Sequence, residues 1–193
     1  MNNRYRMYGC QSALSGKQHF DMLNVARKLW KLRLPSRALK DLEVEILNLR
    51  RSSEEIPGYM VPEIYSEYLF SKDATPLAGV FYHNAMDILS LAALTLYVGK
   101  ALDEIDSDIL LAAEDMYSIA VMCANDNHLN RTYMLLKKCI NNSENAEICK
   151  KSIILYATLH KKAGDFQEAI TYWEIAWLVA FLQPIQEGGA FDQ

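Results

Sequence analysis

The residues best suited to chemistry stand at the entry of an apolar stretch, "PLAGVFYHNAMDILSLAALTLYVGK" (76–100), as His83-Asn84-x-x-Asp87. Four residues apart on a helix, His83 and Asp87 share one face. A carboxylate so placed ligates a hard divalent cation such as Mg2+ or Mn2+ through oxygen. An imidazole beside it can take the proton from an attacking water. Two residues do not make a two-ion site, which needs several carboxylates. The competing explanation is structural: Asp and Asn near a helix start complement the macrodipole, and a lone histidine is usually structural. Spacing alone leaves both open.

The elements that must position this pair can be read along the chain. "NRYRMY" (3–8) has the pattern of a last helical turn, and "HFDML" (19–23) that of a short strand running into a helix through "NVARKLWKL", with Val25, Leu29 and Leu32 at helical spacing. Pro35-Ser36 breaks that helix, and Ser36 is the expected N-cap of the next, which carries Leu39, Leu42 and Ile46 on one stripe. Pro57-Gly58 marks a turn, and Pro62 stands just inside a helix over 62–71 that exposes alternating Tyr and Glu. Thr75 is the expected cap of the helix bearing His83 and Asp87, with Pro76 at its first position.

Beyond residue 108 the pattern becomes one of paired amphipathic helices. "AVMCANDNHLNRTYMLLKKCI" (120–140) matches "ATLHKKAGDFQEAITYWEIAW" (157–177) at an offset of 37. Leu129 pairs with Phe166, Leu136 with Trp173 and Cys139 with Ala176, positions that a helical hairpin buries. The second copy resembles a tetratricopeptide repeat in Ala157, Gly164-Asp165-Phe166, Ala169, Trp173 and Ala176; the first has Asn127 at the glycine and Thr132 at the alanine. Two such units fall below the usual three of a stable solenoid, so they are expected to pack on the preceding helices.

The chain of 193 residues can bury a sizeable core, and its composition is that of an ordinary globular protein. The longest apolar run, Ile88 to Val98, is shorter than the ~20 residues of a membrane span, and no signal-peptide pattern follows Met1. Cys10, Cys123, Cys139 and Cys149 form no zinc-type spacing and are expected to be free thiols in a cytoplasmic protein. The net charge of −4 conceals a split. Residues 1–60 hold eleven Lys/Arg against six Asp/Glu; the rest holds nine against eighteen. Arg27, Lys28, Lys31, Arg33, Arg37 and Lys40 follow one another with no acid between them, which suits either a solvated helix face or contacts to a nucleic-acid backbone, with Arg27, Lys28 and Lys31 the candidates.

Residues 20–95 resemble the second half of an RNase H-like domain of the DEDD 3′–5′ exonuclease superfamily, in its YprB-like branch. The carrying segments are "FDMLNVARKLWKLRLPSRALKDLEVEIL", "EIPGYMVPEIYSEYL" and "PLAGVFYHNAMDILSLAAL", in that order. The resemblance implies a nuclease in which four acids hold two Mg2+ or Mn2+ ions against nucleic acid. It makes Asp87 the last metal ligand and His83 the water-handling residue. Three residues separate the two, as in the family's tyrosine variant; its histidine variant has four. The family opens with D-x-E on a first strand and adds another Asp midway, whereas residues 1–20 contain no acid, and Asp21 falls where the resemblance expects a structural residue.

The expected fold is therefore mainly α: a partial RNase H-like domain over 1–106, corresponding to the C-terminal helical half of that α/β fold, then tetratricopeptide-like hairpins over 107–182 and a frayed tail over 183–193. The function implied is that of a metal-dependent exonuclease lacking three of its four carboxylates and inactive by itself. The alternative is a helical module that binds a protein partner through its hairpins, without catalysis.

Overall fold

The computed structural model describes residues 7–9, 16, 20–51, 56–103 and 111–182. Cys10, most of the expected turn at 3–8 and the tail from 183 lie outside the described residues. The described residues form eight α-helices and no strand, the helical character expected from the sequence.

Helix α1 spans Met22–Leu29 and corrects the expected strand over 19–23. The Asp21 side chain accepts from the Leu23 N–H at 3.0 Å and from the Asn24 amide at 3.0 Å, so the helix begins at Met22. Asp21 is structural, as the resemblance implies. Met22, Ala26 and Leu29 face inward and the chain leaves the helix through the fully buried Trp30.

Helix α2, Leu39–Glu45, starts two residues later than a Ser36 cap would place it. The Ser36 hydroxyl accepts from the Ala38 N–H at 3.2 Å, so it closes a turn ahead of the helix instead of capping it. Arg37 fastens the same turn by donating to the carbonyls of Leu34 and Pro35. Leu42 is buried, with Leu39 and Ile46 packed beside it.

A 3₁₀ turn at Gly58–Met60 leads into α3, Val61–Ser71, which has Pro62 in its first turn and buries none of its residues. Thr75 does not cap the next helix. Asp73 accepts both its N–H at 2.9 Å and its hydroxyl at 2.6 Å, Thr75–Leu77 forms a 3₁₀ turn, and α4 runs over Ala78–Asp103.

Helix α4 is the longest element and carries His83 and Asp87. It buries Ser90, Leu94, Val98 and Ala101 along one side, against α1 and α2. The stretch Thr75–Asp103 is long and apolar enough to cross a membrane by length and composition, with a mean hydropathy of 1.5 over its 18-residue window. The run of Ile88 to Val98 falls short of this because Asp87 and Gly99-Lys100 bound it without making the longer segment polar overall.

Helices α5 (Ala113–Asn125), α6 (Leu129–Asn142), α7 (Ala146–Ala163) and α8 (Phe166–Leu182) pack successively, each on the next. The connections α5–α6 and α7–α8 turn at equivalent left-handed residues, Asn127 (φ 61°) and Gly164 (φ 85°). Thr132 and Ala169 are both buried, and Thr132 satisfies its hydroxyl on the His128 carbonyl at 3.0 Å. Cys139 and Ala176 are buried too, but the larger pairs diverge. Leu136 is fully buried whereas Trp173 is partly exposed, and Leu129 is half-buried whereas Phe166 is exposed. Helix α8 packs on α7, while α6 lies between α5 and α7.

One core joins the two sequence regions. Trp30, Leu42, Leu94, Val98, Ile119, Leu136 and Tyr156 belong to the same buried cluster, and Arg131 on α6 donates to the Leu102 carbonyl near the end of α4.

Candidate functional site

After α2 the chain turns at Asn48, which has a left-handed backbone (φ 51°), and the Leu49 N–H donates back to the Glu43 carbonyl at 2.8 Å. This return carries Arg51 between α2 and α4, where its side chain is only 5% exposed. Nε and Nη2 of Arg51 both donate to the carboxylate of Glu43, itself fully buried. Nη2 also donates to Asp87 Oδ1 at 2.6 Å, and Nη1 to His83 Nδ1 at 3.0 Å.

His83 Nε2 lies 3.5 Å from Asp87 Oδ2, confirming that the two share a face. A guanidinium only donates, so His83 Nδ1 must accept and Nε2 carries the proton that faces Asp87. The pair is not isolated on its helix. It forms the exposed end of a network whose other end is the buried Glu43–Arg51 pair, with Asp87 at 35% and His83 at 37% side-chain exposure.

The network borders an open cleft of about 560 Å³ lined by Lys40, Glu43, Arg50, Arg51, His83 and the Pro57-Gly58 turn, among others. Its charge is predominantly positive, because Glu43 is neutralised by Arg51. Arg27, Lys28 and Lys31 are not part of this cleft. All three are exposed, and Lys28 and Lys31 border a separate groove of about 360 Å³ against Tyr117 and Val121 of α5. Two other members of the basic run are structural: Arg37 holds its turn, and Arg33 pairs with the buried Asp115 at 3.2 Å.

Burial pushes the Asp115 carboxyl up to about 6 despite Arg33. The Trp30 indole N–H also lowers it slightly without reaching hydrogen-bond geometry. This acid serves the seam between α1 and α5. It is a folding feature rather than part of the cleft.

The donor set does not suit a divalent ion. Mg2+ takes six oxygens in a near-ideal octahedron, yet both Glu43 oxygens and Asp87 Oδ1 are engaged by one guanidinium. Among the described residues no group of three or more His, Cys, Asp or Glu could hold an ion. Sequence reasoning found His83 and Asp87 but missed Glu43 and Arg51. The only sequence signal for these was an arginine pair just ahead of "SSEEIPG", and nothing local ties Arg51 to a residue 36 positions away.

A profile described as the RNase H superfamily matches residues 1–98, which contain the whole network. The chain is 31% identical over 157 residues to a protein of Bacillus subtilis (strain 168) named "Uncharacterized protein YprB"; the match covers 81% of this chain and 37% of that protein. No solved structure matches. The chain thus spans little more than a third of the length of this relative. With its network inside the matched segment, the chain belongs to the RNase H superfamily and is a YprB-like protein.

Proposed function

We propose that this chain is part of a nuclease-like protein acting on nucleic acid, and that the cleft beside His83 is where the phosphate backbone lies. The observation that carries this is the placement of Lys40 and Arg50 at one open cleft inside the matched segment, beside the network of Arg51 and His83. Cations in a groove neutralise phosphates and release condensed counterions, which gives sequence-independent affinity. In this reading Asp87 and His83 mark the reacting end of the cleft. Hydrolysis requires further carboxylates, and the described cleft by itself binds without cutting.

The test is the anisotropy of a labelled single-stranded oligonucleotide titrated with the chain at several salt concentrations. Lys40→Glu with Arg50→Glu should weaken binding by roughly tenfold or more and lower the salt slope by about one to two. Unchanged curves would sink the cleft as the interface. Loss only on reversing Arg27 and Lys28 would move the interface to α1.

A second reading is favoured by a separate observation. Helices α5–α8 pack as two successive hairpins with matching left-handed turns, which supports the tetratricopeptide-like reading, and α8 leaves Phe166, Ile170, Trp177 and Phe181 exposed. Such a face suits a protein partner. On that reading the oligonucleotide titration is flat at every salt concentration.

A further inference from the structure

We propose that Arg51 is the resident cation of the His83–Asp87 site, and that its guanidinium closes Asp87 to divalent metal. This holds whatever the cleft binds. Four of the five guanidinium N–H groups are accounted for within the network: Nε–H and one Nη2–H on Glu43, the other Nη2–H on Asp87, and one Nη1–H on His83. A planar fork so engaged is fixed in place, and its charge sits where an ion bridging Glu43 and Asp87 would have to sit.

Glu43 explains why Arg51 stays. A fully buried carboxylate without a counter-charge is strongly unfavourable, so the guanidinium is held from below by the carboxylate it neutralises. Asp87 and His83 then inherit their arrangement from that buried pair. The proton on Nε2 of His83, directed at Asp87, follows from Nδ1 being occupied by Arg51. Arg51 is thus a positioning residue for the pair as well as its counter-ion. Metal binding at Asp87 requires Arg51 to leave, and Arg51 leaves only if Glu43 is neutralised or given another partner.

The experiment is Mn2+ titration followed by the EPR signal of the free ion, with helical content monitored by circular dichroism. The wild-type chain should show no Mn2+ binding that Asp87→Asn removes. Replacing the buried pair together, Glu43→Gln with Arg51→Gln, avoids leaving a bare buried charge. That variant should gain Mn2+ affinity by roughly tenfold or more, since Asp87 Oδ1 no longer has a charge-assisted hydrogen bond to Arg51 to give up, and adding Asp87→Asn should abolish the gain. Wild-type binding that depends on Asp87, or a folded double variant with no gain, would overturn the proposal. An independent check needs no variant. In ¹⁵N spectra of the wild-type chain, His83 should carry its proton on Nε2, and the opposite tautomer would also overturn it.

Discussion

Helices α4 and α7 are both long, yet they are treated differently by the fold. Helix α7 lies between α6 and α8 and buries Ile148, Ser152, Ile153, Tyr156 and Ala157, with the Tyr156 ring close to those of Tyr133 and Tyr172. Helix α4 is covered on one side. Its other side leaves Ile88 68% and Leu96 75% exposed, and the neighbouring α3 leaves Phe70 89% exposed. A helix apolar nearly all round is built for neighbours all round, and α4, with three charged residues in 26 against five in the 18 of α7, is the more apolar helix and the less covered. Hairpin-to-hairpin stacking gives α7 its neighbours from adjacent sequence. Helix α4 depends on elements distant in sequence, and one of its faces has none among the described residues.

The sharpest way to break this comparison is to remove what covers α4. Trp30 is fully buried beside Tyr97 of α4, with ring centroids 6.4 Å apart. Trp30→Ala should cost about 3–5 kcal/mol in urea unfolding; a loss under ~1 kcal/mol would mean that this side of α4 is not core.

Next in size is the seam between α1 and α5. The folded Asp115 has a pKa of about 6 against an ordinary 3.8, so the native state holds the proton more tightly. Between these pH values the native chain binds more protons than the unfolded one. Stability from this group should therefore fall as pH rises from about 4 to about 6, by about 3 kcal/mol, and then level off. Unfolding curves across that range should show the slope, and Asp115→Asn should flatten it.

The smallest effect sharpens the contrast from the open side. Leu96→Ser should change stability by less than about 0.5 kcal/mol in the same assay, as at an ordinary surface position. A loss as large as that at Trp30 would show that the open side of α4 is covered in solution.

The helices were legible where period and punctuation agree. The stripe of Leu39, Leu42 and Ile46 faces inward, Pro62 opens α3, and the offset of 37 placed Asn127 opposite Gly164, which both prove left-handed. Short polar residues misled at the boundaries. Asp21 caps α1 where a strand was expected, and Asp73, not Thr75, organises the entry to α4, because capping depends on which amide a side chain reaches and not on its type. Exposure of Phe166 and Trp173 was missed for a different reason: periodicity tells which side is apolar but not whether anything lies on it.

At the site, the four-residue spacing sufficed to bring His83 and Asp87 together. Their third partner was hidden, since Arg51 reaches them through the tertiary path of α2 and its following turn. The continuous basic run was likewise deceptive. Its members divide among a turn clamp, a buried ion pair, an exposed helix face and the cleft.

The shared core also sets an order in time. Trp30 and Leu136 meet in one cluster although more than half the chain's length separates them. The α5–α6 and α7–α8 contacts join near neighbours in sequence and can close early, whereas the long loop that brings Trp30 to Leu136 closes slowly. During synthesis, α1–α4 emerge first and must wait for α5 and α6 before Ala26 and Trp30 are sheltered from water.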